Sequence, residues 1–178
     1  MKLRKTIILI FIILTLFVSV FFIIDRRNNM NSKKFFQLIE QERLDGLSLT
    51  IYYLSPLALT YKALSVDDLV NGVLANHIVI NDKRLGEHID LLKQLNDVKL
   101  IPVEQESPIN ARLYYIFKNE KGREIFSVAM WGYNNGSVFV NGNEVEGERI
   151  FHEVLFPFLP GNIIQDIQLM YKQELTGV

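Results

Sequence analysis

Residues 111–131 read ARLYYIFK (111–118), NEKG (119–122) and REIFSVAMW (123–131), and this stretch decides the fold. Leu113, Tyr115 and Phe117 alternate with Arg112, Tyr114 and Ile116, the period of two that puts one set on each side of a strand. Asn119 to Gly122 supplies turn residues, and Phe126, Val128 and Met130 then share one side of a returning strand. Asn134-Asn135-Gly136 and Asn141-Gly142 follow, each with the Asn-Gly pair that type I′ hairpin turns favour, and the short strand Val138 to Val140 lies between them. Strands joined in this way form an antiparallel meander.

Leu47 to Leu54 (LSLTIYYL) sets Leu47, Leu49, Ile51 and Tyr53 against Ser48, Thr50 and Tyr52, a half-buried strand. Ser55-Pro56 breaks it, and Leu57 to Leu64 is expected to return as a less regular strand. His77 to Ile80 is a short strand, and Val98 to Val103 an edge or irregular one, because Pro102 cannot donate to a ladder. Helical spacing appears in five places. Ser32 to Leu44 carries Phe35, Leu38 and Ile39 as a stripe, with Ser32 as cap and Asp45-Gly46 as stop. Ser65-Val66-Asp67-Asp68 opens another helix with a hydroxyl cap and two acids. Asn81-Asp82 starts a third through Leu95, with Leu85, Ile89, Leu92 and Leu95 on one face. Glu148 to Phe156 and the segment from Asn162, with Ile163, Ile167 and Met170 in register, complete the set. The order implies an α+β fold, an antiparallel sheet with helices packed on one face.

Ile7 to Ile24 (IILIFIILTLFVSVFFII) contains no charge and only Thr15 and Ser19 as polar side chains. As a helix it spans about 27 Å, close to the roughly 30 Å of bilayer hydrocarbon. Lys2, Arg4 and Lys5 precede it, and Asp25-Arg26-Arg27 closes it abruptly. No Ala occurs in the run to make a cleavage site, so a retained signal anchor is expected rather than a removed signal peptide. The chain therefore divides into a basic leader (1–6), a transmembrane anchor (7–24), a juxtamembrane helix and linker (25–46) and a single α+β domain (47–178). Basic residues flank both ends of the span. The short leader favours a single-pass protein of the cell membrane with its domain on the extracytoplasmic side.

The 19 Lys and Arg against 20 Asp and Glu leave a net charge of −1, which argues against nucleic acid as a partner. The absence of cysteine excludes disulfides, thiolate metal sites and a Cys nucleophile. His152-Glu153 begins an H-E-x-x-H pattern, but Phe156 stands at the second histidine position, and His152 reads as a helix-surface or interface residue. His77, His88 and His152 would meet Asp82 or Glu87 on a metal only through tertiary structure. Glu104 and Glu106 sit two apart in a polar loop, and no serine lies in a G-x-S-x-G elbow. No phosphate-binding glycine loop occurs either, so neither a cofactor nor a catalytic residue is assigned. Asn135-Gly136-Ser137 fits the glycosylation pattern, though the hairpin already accounts for its Asn-Gly. Trp131, the only tryptophan, and Tyr133 stand at a strand end beside a turn, where aromatics stack on sugars or partner side chains; Tyr52 and Tyr114 add to an outward face.

The layout, together with LTIYYLSP (49–56), LSVDDLV (64–70), EHIDLLKQL (87–95) and VAMWGYNNGSVFVNG (128–142), resembles the membrane-anchored exported proteins of low-GC Gram-positive bacteria. That resemblance implies surface localisation and carries no activity. Three functions follow. The leading one is a membrane-tethered, non-catalytic domain that binds a protein, peptide or envelope polymer. The others are an envelope hydrolase assembled in three dimensions and an accessory or immunity-type protein working beside another membrane protein.

Overall fold

The computed structural model describes residues 32–103, 108–131 and 138–176, together with Thr15. The rest of the apolar run Ile7 to Ile24, the turn at Asn134 to Gly136, Tyr133, Glu104 and Glu106 lie outside the described residues. Among the described residues no helix is long and apolar enough to cross a membrane.

The fold is α+β, built on one six-stranded antiparallel sheet. Its strands are β1 (Ser48–Tyr53), β2 (Asn76–Ile80), β3 (Leu113–Lys118), β4 (Glu124–Met130), β5 (Val138–Val140) and β6 (Asn143–Val145), in spatial order β2-β1-β3-β4-β5-β6. The alternation in 111–131 fixes the register: Leu113 pairs with Met130, Tyr115 with Val128 and Phe117 with Phe126. Between Phe117 and Lys118 the register shifts, and this irregularity lets Ile125 join Phe126 in the core. Asn141 (φ 49°) and Gly142 (φ 84°) both take the left-handed backbone of a type I′ turn, which folds β6 onto β5.

The first sheet face carries Ile80, Leu49, Ile51, Leu113, Tyr115, Phe117, Phe126, Val128, Met130, Val138, Val140 and Val145 in one buried cluster. Among the described residues, five helices close over it. Residues 32–40 form α1, whose Phe35 stacks on Phe126 with ring centroids 4.4 Å apart and meets Phe117 at 4.6 Å. Phe35 and Ile39 are fully buried, so the segment 25–46 that reads as juxtamembrane gives its helix to the core. α3 (Asp82–Gly86) contributes Leu85, and α4 (Ile89–Lys93) contributes Leu92. α5 (Ile150–Glu153) and α6 (Gly161–Thr176) add Phe151, Ile163 and Ile167.

Several sequence expectations change, among them the strand over Val98 to Val103, which reduces to a single bridge between Pro102 and Val145. The helix expected from Asn81 through Leu95 breaks at Glu87 and His88 into α3, α4 and a 3₁₀ turn (Gln94–Asp97). Gly86 weakens helix propagation there, and the His88 ring packs edge-on against Phe158 at 5.2 Å. No strand forms over Leu57 to Leu64: β1 already has β2 on one side and β3 on the other, so no edge is left for a returning partner. The helix expected over Glu148 to Phe156 shortens to Ile150–Glu153 and continues as turns. Finally, the helices are not all on one face. α2 (Val66–Asn71) buries Leu69 outside the main cluster, and its first residue, Val66, sits over the opposite side of the sheet.

Candidate functional site

The second sheet face is set by the residues that alternate with the core. On β4 these are Ser127 and Ala129, both small, paired with Ile116 and Tyr114 on β3; Ala129 also pairs with Phe139 on β5. Small side chains between large ones leave a trough. It is a cleft of about 450 Å³ lined by Tyr114, Phe139, Ser127, Ala129, Asn141 and Glu124, with Val66 and Ile109 also contributing. Its size lies within the roughly 300–1,000 Å³ of small-ligand sites, and its mix of apolar lining and a few polar groups matches theirs.

Local hydrogen bonds hold the polar groups in place. The Ser127 N–H donates to Asn141 Oδ1 at 2.8 Å, the Asn141 side-chain amide donates to Ser32 Oγ at 2.7 Å, and the Ser127 hydroxyl donates to Glu124. Burial, reinforced by the negative charge of Glu124, pushes the Tyr114 hydroxyl up to about 12. It therefore stays a neutral donor across the physiological range. A carboxylate alone is too weak a base to strip a serine proton, and no imidazole partners Ser127 among the described residues.

α2 roofs one end of the trough through its own cap. Ser65 Oγ accepts the Asp68 N–H at 3.0 Å, while Asp68 Oδ2 accepts the Ser65 N–H at 3.0 Å. Hydrogen bonds from Ser65 first, then from Lys62, lower the Asp68 carboxyl to about 2.

Tyr52 and Tyr114 are cross-strand neighbours, stacked with centroids 6.0 Å apart, and His77 lies 5.8 Å beyond Tyr52. This aromatic row leads from β2 across β1 to the cleft wall. Trp131 lies apart from the lining. Its half-buried indole N–H donates to Pro56 O at 3.4 Å, and the Arg112 guanidinium stands 5.8 Å from its ring. Arg112 is itself buried, donating to Asn110 Oδ1 and Thr60 Oγ1, both at 2.7 Å. Trp131 and Arg112 thus clamp the 55–64 loop to the start of β3.

The three imidazoles occupy three environments. His77 is exposed on β2, and His88 stands at the start of α4 with its ring edge-on to Phe158 and no side-chain capping bond. His152 is not on the surface as its sequence position suggests: it is 1% exposed, because its Nε2 finds the Trp131 carbonyl at 2.8 Å in the interior. No group of three His, Asp or Glu among the described residues is arranged to hold a metal ion. The cleft itself was missed from sequence, although small Ser127 and Ala129 alternating with Phe126, Val128 and Met130 were its signal.

No family model, curated protein or solved structure matches the chain.

Proposed function

We propose that this chain is a membrane-tethered, extracytoplasmic, non-catalytic binding domain that holds a protein segment, a peptide or an envelope polymer on the second face of its sheet. The observation that carries the reading is the cleft of about 450 Å³ between Tyr114 and Phe139, whose polar groups are fixed by the fold and include no activated nucleophile among the described residues. The tether rests on the charge-free run Ile7 to Ile24, whose transfer from water to hydrocarbon is strongly favourable. On this reading the aromatic row of Tyr52 and Tyr114 forms the approach to the cleft, and Trp131 holds the loop beside it.

Benzoylphenylalanine placed at Phe139 of the full-length chain should give discrete photo-adducts in intact cells. Ser127→Trp, which fills the trough, should suppress them. The same probe at Leu169, exposed on α6 behind the opposite face, should give none. Equal yields at the two positions, or adducts indifferent to Ser127→Trp, would reject the cleft as the binding site. Release of the intact chain by alkaline carbonate would separately reject the tether.

A further inference from the structure

The sheet has two edges, and they are treated differently. At β6, residues 101–103 run alongside: Pro102 bridges Val145, the Glu146 N–H donates to Ile101 O at 2.9 Å, and the Val103 N–H donates to Glu144 O at 3.4 Å. At β2, only β1 pairs with the strand among the described residues, and its outer backbone groups face away from the sheet.

Folded proteins protect such an edge with lysine, proline, a bulge or an inward charge. β2 has none of these. Residues 72–80 read GVLANHIVI, without a single Asp, Glu, Lys, Arg or Pro, and the β1–β2 register runs unbroken from Leu49–Ile80 to Tyr53–Asn76. The stretch is also greasy where it meets water: Val73 is 101% exposed, Leu74 70% and Val79 63%. Beside it, an apolar recess of about 300 Å³ is lined by Leu54, Leu64, Leu69, Val73 and Leu74.

We propose that β2 is a homodimer edge, at which two copies pair antiparallel and merge their sheets. An uncharged edge pairs best with another extended, uncharged strand, and of the two edge strands of the sheet β6 carries Glu144 while β2 carries no charge, so a second copy of β2 supplies the matching edge. Antiparallel self-pairing about a two-fold axis makes every contact off the axis twice and sets no charge against a like charge. Centred on Ile78, the pairing sets each His77 opposite the partner's Val79 and carries both aromatic rows onto one continuous face. The proposal goes beyond the ligand-cleft reading and does not depend on it.

The chain contains no cysteine, so one introduced thiol reports without interference. In the full-length protein in detergent, cysteine replaces Asn76, His77, Ile78, Val79 and the control Lys172 one at a time, followed by mild oxidation. Disulfide-linked dimer should peak at Ile78→Cys, decline on either side and be absent at Lys172→Cys. Val79→Lys, at an exposed site, should weaken association about tenfold or more by leaving a charge in the seam, while at a dilution where neither protein is paired the two melt at the same temperature. A wild-type chain that sediments as a monomer would overturn the proposal, as would cross-linking with no positional maximum. So would a monomer whose β2 pairs with a strand from another protein. None of these results touches the Phe139 adducts, so the two readings fail separately.

Discussion

Acidification should destabilise the domain through His152, in a way that can be sized beforehand. A backbone carbonyl only accepts, so the Nε2 facing Trp131 O must carry the proton, and Nδ1 is left bare with no partner in a dry setting. Adding the second proton would bury an unsatisfied cation. Burial accordingly drops the imidazole to about 4 from its ordinary 6.5, the Trp131 carbonyl opposing only in part. Between those values the unfolded chain binds the proton and the folded one does not, so stability is complete above pH 6.5 and falls as pH drops toward 4. At about 1.4 kcal/mol per decade the ceiling is about 3.4 kcal/mol, with about 1.4 lost by pH 5.5 and about 2.6 by pH 4.5. For a domain near 150 residues, 2.6 kcal/mol corresponds to roughly 8 °C in melting temperature. His152→Gln keeps a donor for the carbonyl but does not titrate. Its melting temperature should therefore fall about 8 °C less than wild type between pH 7.5 and 4.5, carboxylate effects being common to both. Parallel pH slopes, or an imidazole that titrates near 6.5 by NMR in the folded protein, would refute the reasoning.

Two further outcomes test the fold. Phe35→Ala removes the ring stacked on Phe126 and should cost about 3–5 kcal/mol in urea unfolding, a loss under about 1 kcal/mol meaning that α1 is an appendage rather than core. Gly142→Ala meets no atom within 4 Å of the new Cβ, so its cost is the left-handed backbone alone, about 1–2 kcal/mol. A thermal shift indistinguishable from zero would show that the β5–β6 turn adopts another form.

The residues that sequence reading placed correctly are those whose local chemistry and tertiary role agree. Leu113, Tyr115 and Phe117 alternate because one side of β3 meets the core, and the same contrast set the β3–β4 register. Ser65 and Asp68 cap α2 through contacts spanning three residues, which sequence displays directly. The failures needed information about neighbours. Whether Leu57 to Leu64 becomes a strand depends on whether β1 has a free side, and β6 is only three residues long, too short for periodicity. His152 looked superficial because its burial depends on a carbonyl 21 positions away. Of the residues picked as a surface, Tyr52 and Tyr114 do lie side by side, since their strands pair there, whereas Trp131 serves the loop. The cleft escaped because it is made of what β4 lacks, bulk at Ser127 and Ala129, rather than of any conspicuous side chain.

The burial of Phe35 and Ile39 makes the segment just after the apolar run part of the domain. On the tethered reading proposed above, only the seven residues Asp25 to Asn31 separate the greasy run from the first helix of the core. Even stretched taut, such a segment reaches about 25 Å. The domain would then ride low on the lipid and sweep only a thin shell of space. On that reading, whatever it captures would have to come down to the bilayer surface or be anchored there already.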